Sequence, residues 1–141
     1  MKEKKIDSQN GQDSSFGNLI YAYTRQQAIQ DGVLVAVDES LAQAAGFRIP
    51  VALTYAVWAL AIPVPDHLKH DLEQSETDRL KDLLRVLEFY IYNRPFSEER
   101  LDFTLQLQQP DGTHRPLKLK AICAPGDDPR PVLTILLRDE D

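Results

Sequence analysis

Apolar and polar residues alternate along the last third of the chain, which is the pattern of an antiparallel sheet. Leucine or phenylalanine occupies the odd positions of residues 101–107, and polar residues occupy the even ones. Residues 110–112 are turn formers, residues 117–121 alternate again, and residues 132–137 are apolar almost throughout. Because the connections between these segments are short, they predict a C-terminal three-strand meander.

The first part of the chain carries helix signals instead. Thr24 followed by Gln27 forms a capping box, which predicts a short helix over residues 25–30. Asp38 is a second N-cap, and the alanine-rich residues 39–45 predict the next helix.

Three further segments are assigned from their apolar content and their prolines. Residues 33–37 are β-branched and apolar, which predicts a buried strand. Residues 50–62 begin with proline and are apolar nearly all round, which predicts a third helix that is central to the core or covered by a partner. Residues 66–74, opened by an aspartate, predict a short helix.

The clearest helix of the chain follows Ser75. Ser75 and Asp78 form a second capping box, and the helix is predicted to end at Asn93, before Pro95. Leucines and an isoleucine fall on one stripe at helical spacing, which indicates a single buried face: Leu80, Leu83, Leu84, Leu87 and Ile91.

Helices that precede strands indicate an α+β fold, with several N-terminal helices packed on a small antiparallel sheet. The strand over residues 33–37 is an additional candidate member of that sheet. Residues 1–15 are polar and predict a disordered tail, residues 19–21 predict a short extended segment, and residues 16–141 predict a single domain.

The charge of the chain limits its partners. Sixteen basic and 22 acidic residues give a formal net charge of −6, which disfavours non-specific binding to nucleic acid or anionic lipid and suits a basic protein partner. Cys123 is the only cysteine, so an intrachain disulfide is excluded, and a cytoplasmic location is expected. The longest apolar run, residues 49–64, contains two prolines and is shorter than the roughly 20 residues of a membrane span.

Side chains with catalytic chemistry are sparse. Glycine-rich phosphate loops and zinc-protease or serine-hydrolase patterns do not occur in the sequence, and no cofactor is expected. His67 and His70 have the i, i+3 spacing of metal ligands on a helix, but a solvated helix end explains them better. Cys123 and His114 flank one predicted strand, where a buried core cysteine is favoured over a catalytic pair.

Two polar clusters remain as candidate partner-binding residues. Tyr21, Tyr23 and Arg25 have the composition of an interaction hot spot, or else form a lid over the sheet in which Arg25 pairs with a carboxylate. Asp127 and Asp128 lie between glycine and proline, where they bind a cation, act as acid and base, or stabilise a turn. The turn interpretation is favoured.

Lys118 and Lys120 form a small basic stripe, which we interpret as a solvated sheet face rather than a nucleic-acid site. Direct binding of nucleic acid is therefore not expected.

Several runs together resemble a family of small bacterial proteins that is labelled a domain of unknown function. They are residues 23–35 (YTRQQAIQDGVLV), 45–54 (AGFRIPVALT), 56–58 (AVW), 78–84 (DRLKDLL) and 125–135 (PGDDPRPVLTI). The resemblance covers nearly everything after the tail. It implies a genetic setting on plasmids, integrative elements and phages, and it transfers no catalytic residue.

These observations lead us to expect a non-enzymatic, protein-binding accessory protein of a mobile genetic element. One concrete form is an inhibitor whose acidic face occupies the basic channel of a nucleic-acid-directed host defence protein. The first alternative is a small metal-dependent enzyme that uses Asp127 and Asp128, with the His67 and His70 pair as further ligands. The second is a self-associating structural protein, a homodimer with residues 50–62 at its interface.

Overall fold

A computed structural model of the chain describes residues 23–70, 75–93 and 99–141. The predicted tail, the predicted extended segment over residues 19–21 and the candidate residue Tyr21 lie outside the described residues. Within them the helices are α1 (Arg25–Gln30), α2 (Glu39–Ala44), α3 (Tyr55–Ala61) and α4 (Glu76–Asn93). The strands are β1 (Leu34–Ala36), β2 (Val51–Thr54), β3 (Arg100–Gln108), β4 (His114–Pro125) and β5 (Pro131–Leu137).

The predicted starts of α1, α2 and α4 are confirmed by their hydrogen bonds. The Thr24 hydroxyl accepts from the Gln27 N–H at 3.0 Å, and the Gln27 side chain accepts from the Thr24 N–H at 2.9 Å. Asp38 accepts from the Ser40 N–H at 2.8 Å. The Ser75 hydroxyl accepts from the Asp78 N–H at 3.0 Å, where α4 begins. These side chains satisfy N–H groups that a helix leaves without a partner in its first turn.

The five strands form one mixed sheet in the order β1-β2-β5-β4-β3. The antiparallel pairs β3–β4 and β4–β5 confirm the C-terminal meander, and β1 pairs antiparallel with β2. The prediction of a purely antiparallel sheet was wrong, because β2 pairs with β5 in parallel.

The helix predicted over residues 50–62 was wrong in its first part. Val51–Thr54 is a central strand with four buried residues, and the helix covers only Tyr55–Ala61. A strand that is buried on both faces shows no alternation of apolar and polar residues, so its pattern resembles that of a buried helix.

Two other segments differ from their predictions in extent. β1 joins the sheet as expected, but it is an edge strand, and its burial is partial rather than complete. In the segment predicted as a helix over residues 66–74, a 3-10 turn spans Asp66–Leu68, and residues 71–74 lie outside the described residues.

The core lies between α4 and one face of the sheet. The leucine stripe of α4 packs there against the odd-numbered residues of β3 to β5, as the periodicity predicted. Arg25 of α1 contacts the even-numbered residue Thr134, so α1 lies on the opposite face of the sheet. None of the helices in the described ranges combines the length and hydropathy that a membrane crossing requires.

Candidate functional site

Arg25 and Asp127, two of the predicted site residues, come together where α1 meets the sheet. The Asp127 carboxylate accepts from the backbone N–H groups of Arg25 at 2.7 Å and Gln26 at 3.0 Å. The Arg25 guanidinium donates to the Thr134 hydroxyl at 2.6 Å and to the Leu133 carbonyl at 3.1 Å. Asp127 therefore fastens the start of α1 to the loop before β5, and Arg25 fastens the same turn to β5 itself.

The Arg25 guanidinium is partly buried at this junction. Burial lowers the pKa of the Arg25 guanidinium, and the charge of Asp127 opposes that shift. An arginine retains its proton at neutral pH in such a setting. Arg25 contacts the sheet through Thr134 and Leu133 and not through the carboxylate pairing of the lid interpretation, and the Asp127 oxygens accept from backbone N–H groups.

Asp128 stabilises its own loop. Its carboxylate accepts from the Arg130 N–H at 2.9 Å and forms an ion pair with the Arg130 guanidinium. These hydrogen bonds, with the side-chain bond the larger cause, lower the pKa of Asp128 from 3.8 to about 2. In the same loop a Cβ on Gly126 would lie 2.9 Å from Val132 Cγ1, so the tight packing favours glycine there.

The other candidates for catalysis or metal binding are not brought together. His67 and His70 are exposed, and the described residues contain no cluster of three or more His, Cys, Asp or Glu side chains suited to a metal. Cys123 packs against the core, whereas His114 is exposed at the other end of β4. At about 3.4 Å per residue, nine residues of extended strand separate these two by about 30 Å.

The solvated-face interpretation of the lysine stripe holds for Lys118 and was wrong for Lys120. Lys120 is 6% exposed, and its ammonium group donates to the Glu140 carbonyl. The Glu140 carboxylate in turn accepts from the Thr54 hydroxyl at 2.7 Å and from the Leu137 N–H at 2.8 Å. Strand alternation identifies the face on which a lysine lies, but not the chain segment that folds back over that face.

A surface groove opens beside this network, at the end of the sheet where β1 begins and β2 ends. Its exposed apolar side chains are Tyr23, Val33 and Tyr55, which are 50%, 51% and 62% exposed. The Tyr55 N–H donates to the Val33 carbonyl at 2.9 Å, which continues the pairing of β1 with β2. We call this the tyrosine groove; its volume is about 560 Å³.

The rim of the tyrosine groove is acidic. Asp31, Glu140 and Asp141 line it, and the described lining includes neither lysine nor arginine. The Asp31 carboxylate accepts from the Tyr23 hydroxyl at 2.9 Å, which holds that ring across the end of α1. Among the predicted partner-binding residues, Tyr23 therefore lies in the groove itself, while Arg25, Asp127 and Asp128 stabilise the structure beside it.

Val33, Tyr55 and Glu140 are groove residues that the sequence did not point to. Tyr55 was assigned to an apolar helix, and only the end of β2 at Thr54 turns its side chain outward. No local signal identifies Tyr55, because the pattern of residues 51–54 resembles that of a buried helix.

The profile of a protein family of unknown function matches residues 14–141 of the chain. No curated protein matches the chain. No solved structure matches it either.

Proposed function

We propose, from the premise that this chain belongs to the DUF6573 family of unknown function, that it is a non-enzymatic protein that binds a basic partner through the tyrosine groove. The observation that carries the proposal is the contiguous exposure of Tyr23, Val33 and Tyr55 inside an acidic rim. Tyrosine supplies a large, rigid contact surface, and tyrosine is enriched among the residues that dominate binding energy.

The charge of the groove selects the class of partner. Three carboxylate side chains border an apolar floor, and the whole chain carries a formal net charge of −6. A partner with an apolar side chain flanked by lysine or arginine matches both the apolar floor and the acidic rim. Complementary charges speed association and exclude acidic competitors. A basic nucleic-acid-binding protein has such a surface. In the genetic setting of a mobile element, inhibition of a nucleic-acid-directed host defence protein is one form of this function.

The two alternatives receive less support. Asp127 and Asp128 accept from backbone N–H groups and from Arg130, and among the described residues they are not part of a cluster of three or more His, Cys, Asp or Glu side chains suited to a metal. In the range proposed for a dimer interface, the residues of β2 are buried in the sheet, so such an interface is limited to the exposed side chains of α3, among them Tyr55 and Leu60.

The test uses affinity capture from the native host at about 150 mM salt, where long-range attraction between exposed charges is largely screened. Wild-type protein is compared with Tyr55→Ala and with Tyr92→Ala, a control that removes an 86% exposed tyrosine of α4. We expect a basic protein that is captured by the wild type and by Tyr92→Ala but lost with Tyr55→Ala.

Affinity measurements on the purified partner then quantify the contact. A hot-spot tyrosine costs about 2 kcal/mol or more when truncated, which is about a 30-fold loss of affinity. Equal binding by Tyr55→Ala and wild type, or an acidic partner whose affinity is independent of salt, would contradict the proposal.

A further inference from the structure

A second and more enclosed cavity lies between α1, α2 and the start of β2. Its volume is about 180 Å³, and it shares no lining residue with the tyrosine groove. Its walls are mainly apolar and include Ile29, Val37, Phe47, Ile49 and Val51. An apolar concavity with a few polar groups at its edge is the usual form of a small-molecule site.

The polar groups of this cavity include two arginines, Arg25 and Arg48. The hydrogen bonds of the Arg25 guanidinium go to a hydroxyl and a carbonyl, both neutral, because the Asp127 oxygens accept from backbone N–H groups. Arg48 is exposed and forms no hydrogen bond or ion pair with any residue that the structure describes. The one carboxylate of the lining belongs to Glu39, which accepts from the Gln43 amide at 3.4 Å.

The cavity lining thus holds two arginines and one glutamate, so basic residues outnumber acidic ones there, although the chain as a whole has 16 basic and 22 acidic residues. Neither arginine has a carboxylate as a direct hydrogen-bond partner among the described residues. A guanidinium binds a carboxylate through strong, directional, charge-assisted hydrogen bonds. An anionic group on a ligand would accept hydrogen bonds from those guanidinium N–H groups of both arginines that have no acceptor in the part of the chain that the structure describes.

The volume limits the apolar part of such a ligand. An engineered protein cavity of about 150 Å³ admits one benzene molecule, and drug-sized ligands occupy at least about 300 Å³. At about 180 Å³ the cavity admits one six-membered ring or a branched chain of similar size.

We propose that the cavity between α1, α2 and β2 is a binding site for a small apolar carboxylate, whose hydrocarbon part lies against the apolar walls and whose carboxylate contacts Arg48 and Arg25. The site shares no lining residue with the tyrosine groove, and the proposal does not rest on the protein-binding function. A ligand of about nine heavy atoms, with a ligand efficiency between that of drug-sized ligands and that of the best fragments, has a Kd on the order of 1 mM.

The probes are benzoate, the neutral benzyl alcohol and the cationic benzylamine, each titrated into the isotopically labelled full chain and followed by amide NMR shifts. We expect benzoate to bind most tightly, on the order of tenfold better than benzyl alcohol, and benzylamine to bind least. The shifts should centre on the amides of Ile29, Ala36 and Val51, which line the cavity.

Three variants locate the site. Arg48→Gln should weaken benzoate on the order of tenfold and leave benzyl alcohol unchanged, whereas Arg115→Gln, an exposed arginine on β4, is the matched control. Ala36→Phe should abolish binding of both ligands by filling the cavity; Ala36 is exposed, and phenylalanine suits a strand. If Ala36→Phe does not fold, the comparison of Arg48→Gln with Arg115→Gln still tests whether benzoate binds in this cavity.

Three results would overturn the proposal. One is the absence of a saturable benzoate shift up to about 10 mM, about tenfold above the expected Kd. Another is equal affinity for benzoate and benzyl alcohol, which would mean that the arginines do not contribute to binding of the carboxylate. The third is an equal effect of Arg48→Gln and Arg115→Gln, which attributes the binding to net charge rather than to this cavity.

Discussion

Replacement of Asp127 by alanine removes both acceptors that hold the first turn of α1 to the loop before β5. The two N–H···O distances are 2.7 Å to Arg25 and 3.0 Å to Gln26, and both bonds are exposed. A net hydrogen bond to a charged group contributes about 1.5–3 kcal/mol, and loss of an N-terminal helix cap costs about 0.5–2 kcal/mol. Because exposed N–H groups regain water, the expected loss for Asp127→Ala is about 2 kcal/mol.

The assay has a global part and a local part. Urea titration measures the free energy of unfolding, and amide hydrogen exchange in α1 measures its local opening. A loss of about 2 kcal/mol in the local stability of α1 accelerates exchange at Ala28 and Ile29 about 30-fold. Asp127→Asn should cost about half as much, because its amide retains one acceptor oxygen.

Asp139→Ala is the matched control, because Asp139 is an exposed aspartate on the turn after β5. Its unfolding free energy should stay within about 0.5 kcal/mol of the wild type. If Asp127→Ala shows the same small change and α1 exchanges at the wild-type rate, the two hydrogen bonds do not hold the helix and the reasoning fails.

Three further outcomes are expected, each measured by urea titration. Gly126→Ala should lose about 1–2 kcal/mol, because its Cβ would lie 2.9 Å from Val132 Cγ1; an unchanged midpoint would show that Val132 shifts freely. Lys120→Ala should lower the free energy of unfolding by about 1–3 kcal/mol, because it removes a buried aliphatic stem and the contact of the ammonium group. Lys118→Ala, on the exposed face, should lower it by less than about 0.5 kcal/mol, and equal losses in the two variants would refute the burial argument. The folded-state pKa of Asp128, about 2, lies below 3.8, so its carboxylate stabilises the fold above pH 3.8 and this contribution disappears as the pH falls through about 2. Asp128→Asn should therefore be less stable than the wild type at pH 6 and converge with it below pH 2; a constant difference would contradict the pKa assignment.

The stability of α1 bears on the proposed function. Tyr23 precedes α1 and Val33 follows it, so two of the three exposed side chains of the tyrosine groove depend on where α1 lies. Arg25 and Asp127 fix that position from the side of the sheet. A variant of Asp127 should consequently weaken partner binding without touching the partner, by allowing Tyr23 to move.

Local signals in the chain were enough to predict the starts of α1, α2 and α4 and the meander. The capping boxes at Thr24 and Ser75 and the alternation over residues 101–107 depend on neighbours within a few residues. Such short-range interactions can be predicted from the local sequence, because a side-chain cap or a two-residue period needs no distant partner.

The candidate site could be predicted only in part. Tyr23, Arg25 and the two aspartates were singled out by composition, and the structure joins Arg25 to Asp127 across 102 positions of sequence. Neither the groove nor the buried Lys120 follows from local pattern, since each depends on segments that are distant in the chain.

By itself, then, the amino-acid order determined the α+β class, the helix caps, the C-terminal meander and the acidic character of the surface. Only the tertiary structure decided that Val51–Thr54 is a strand, that it pairs in parallel with β5, and that the chain around Glu140 folds back over Lys120. The physical reason is that a doubly buried strand has no polar face to reveal its period, and that the pairing of β2 with β5 and the contact of Lys120 with Glu140 join segments that are separate in the chain.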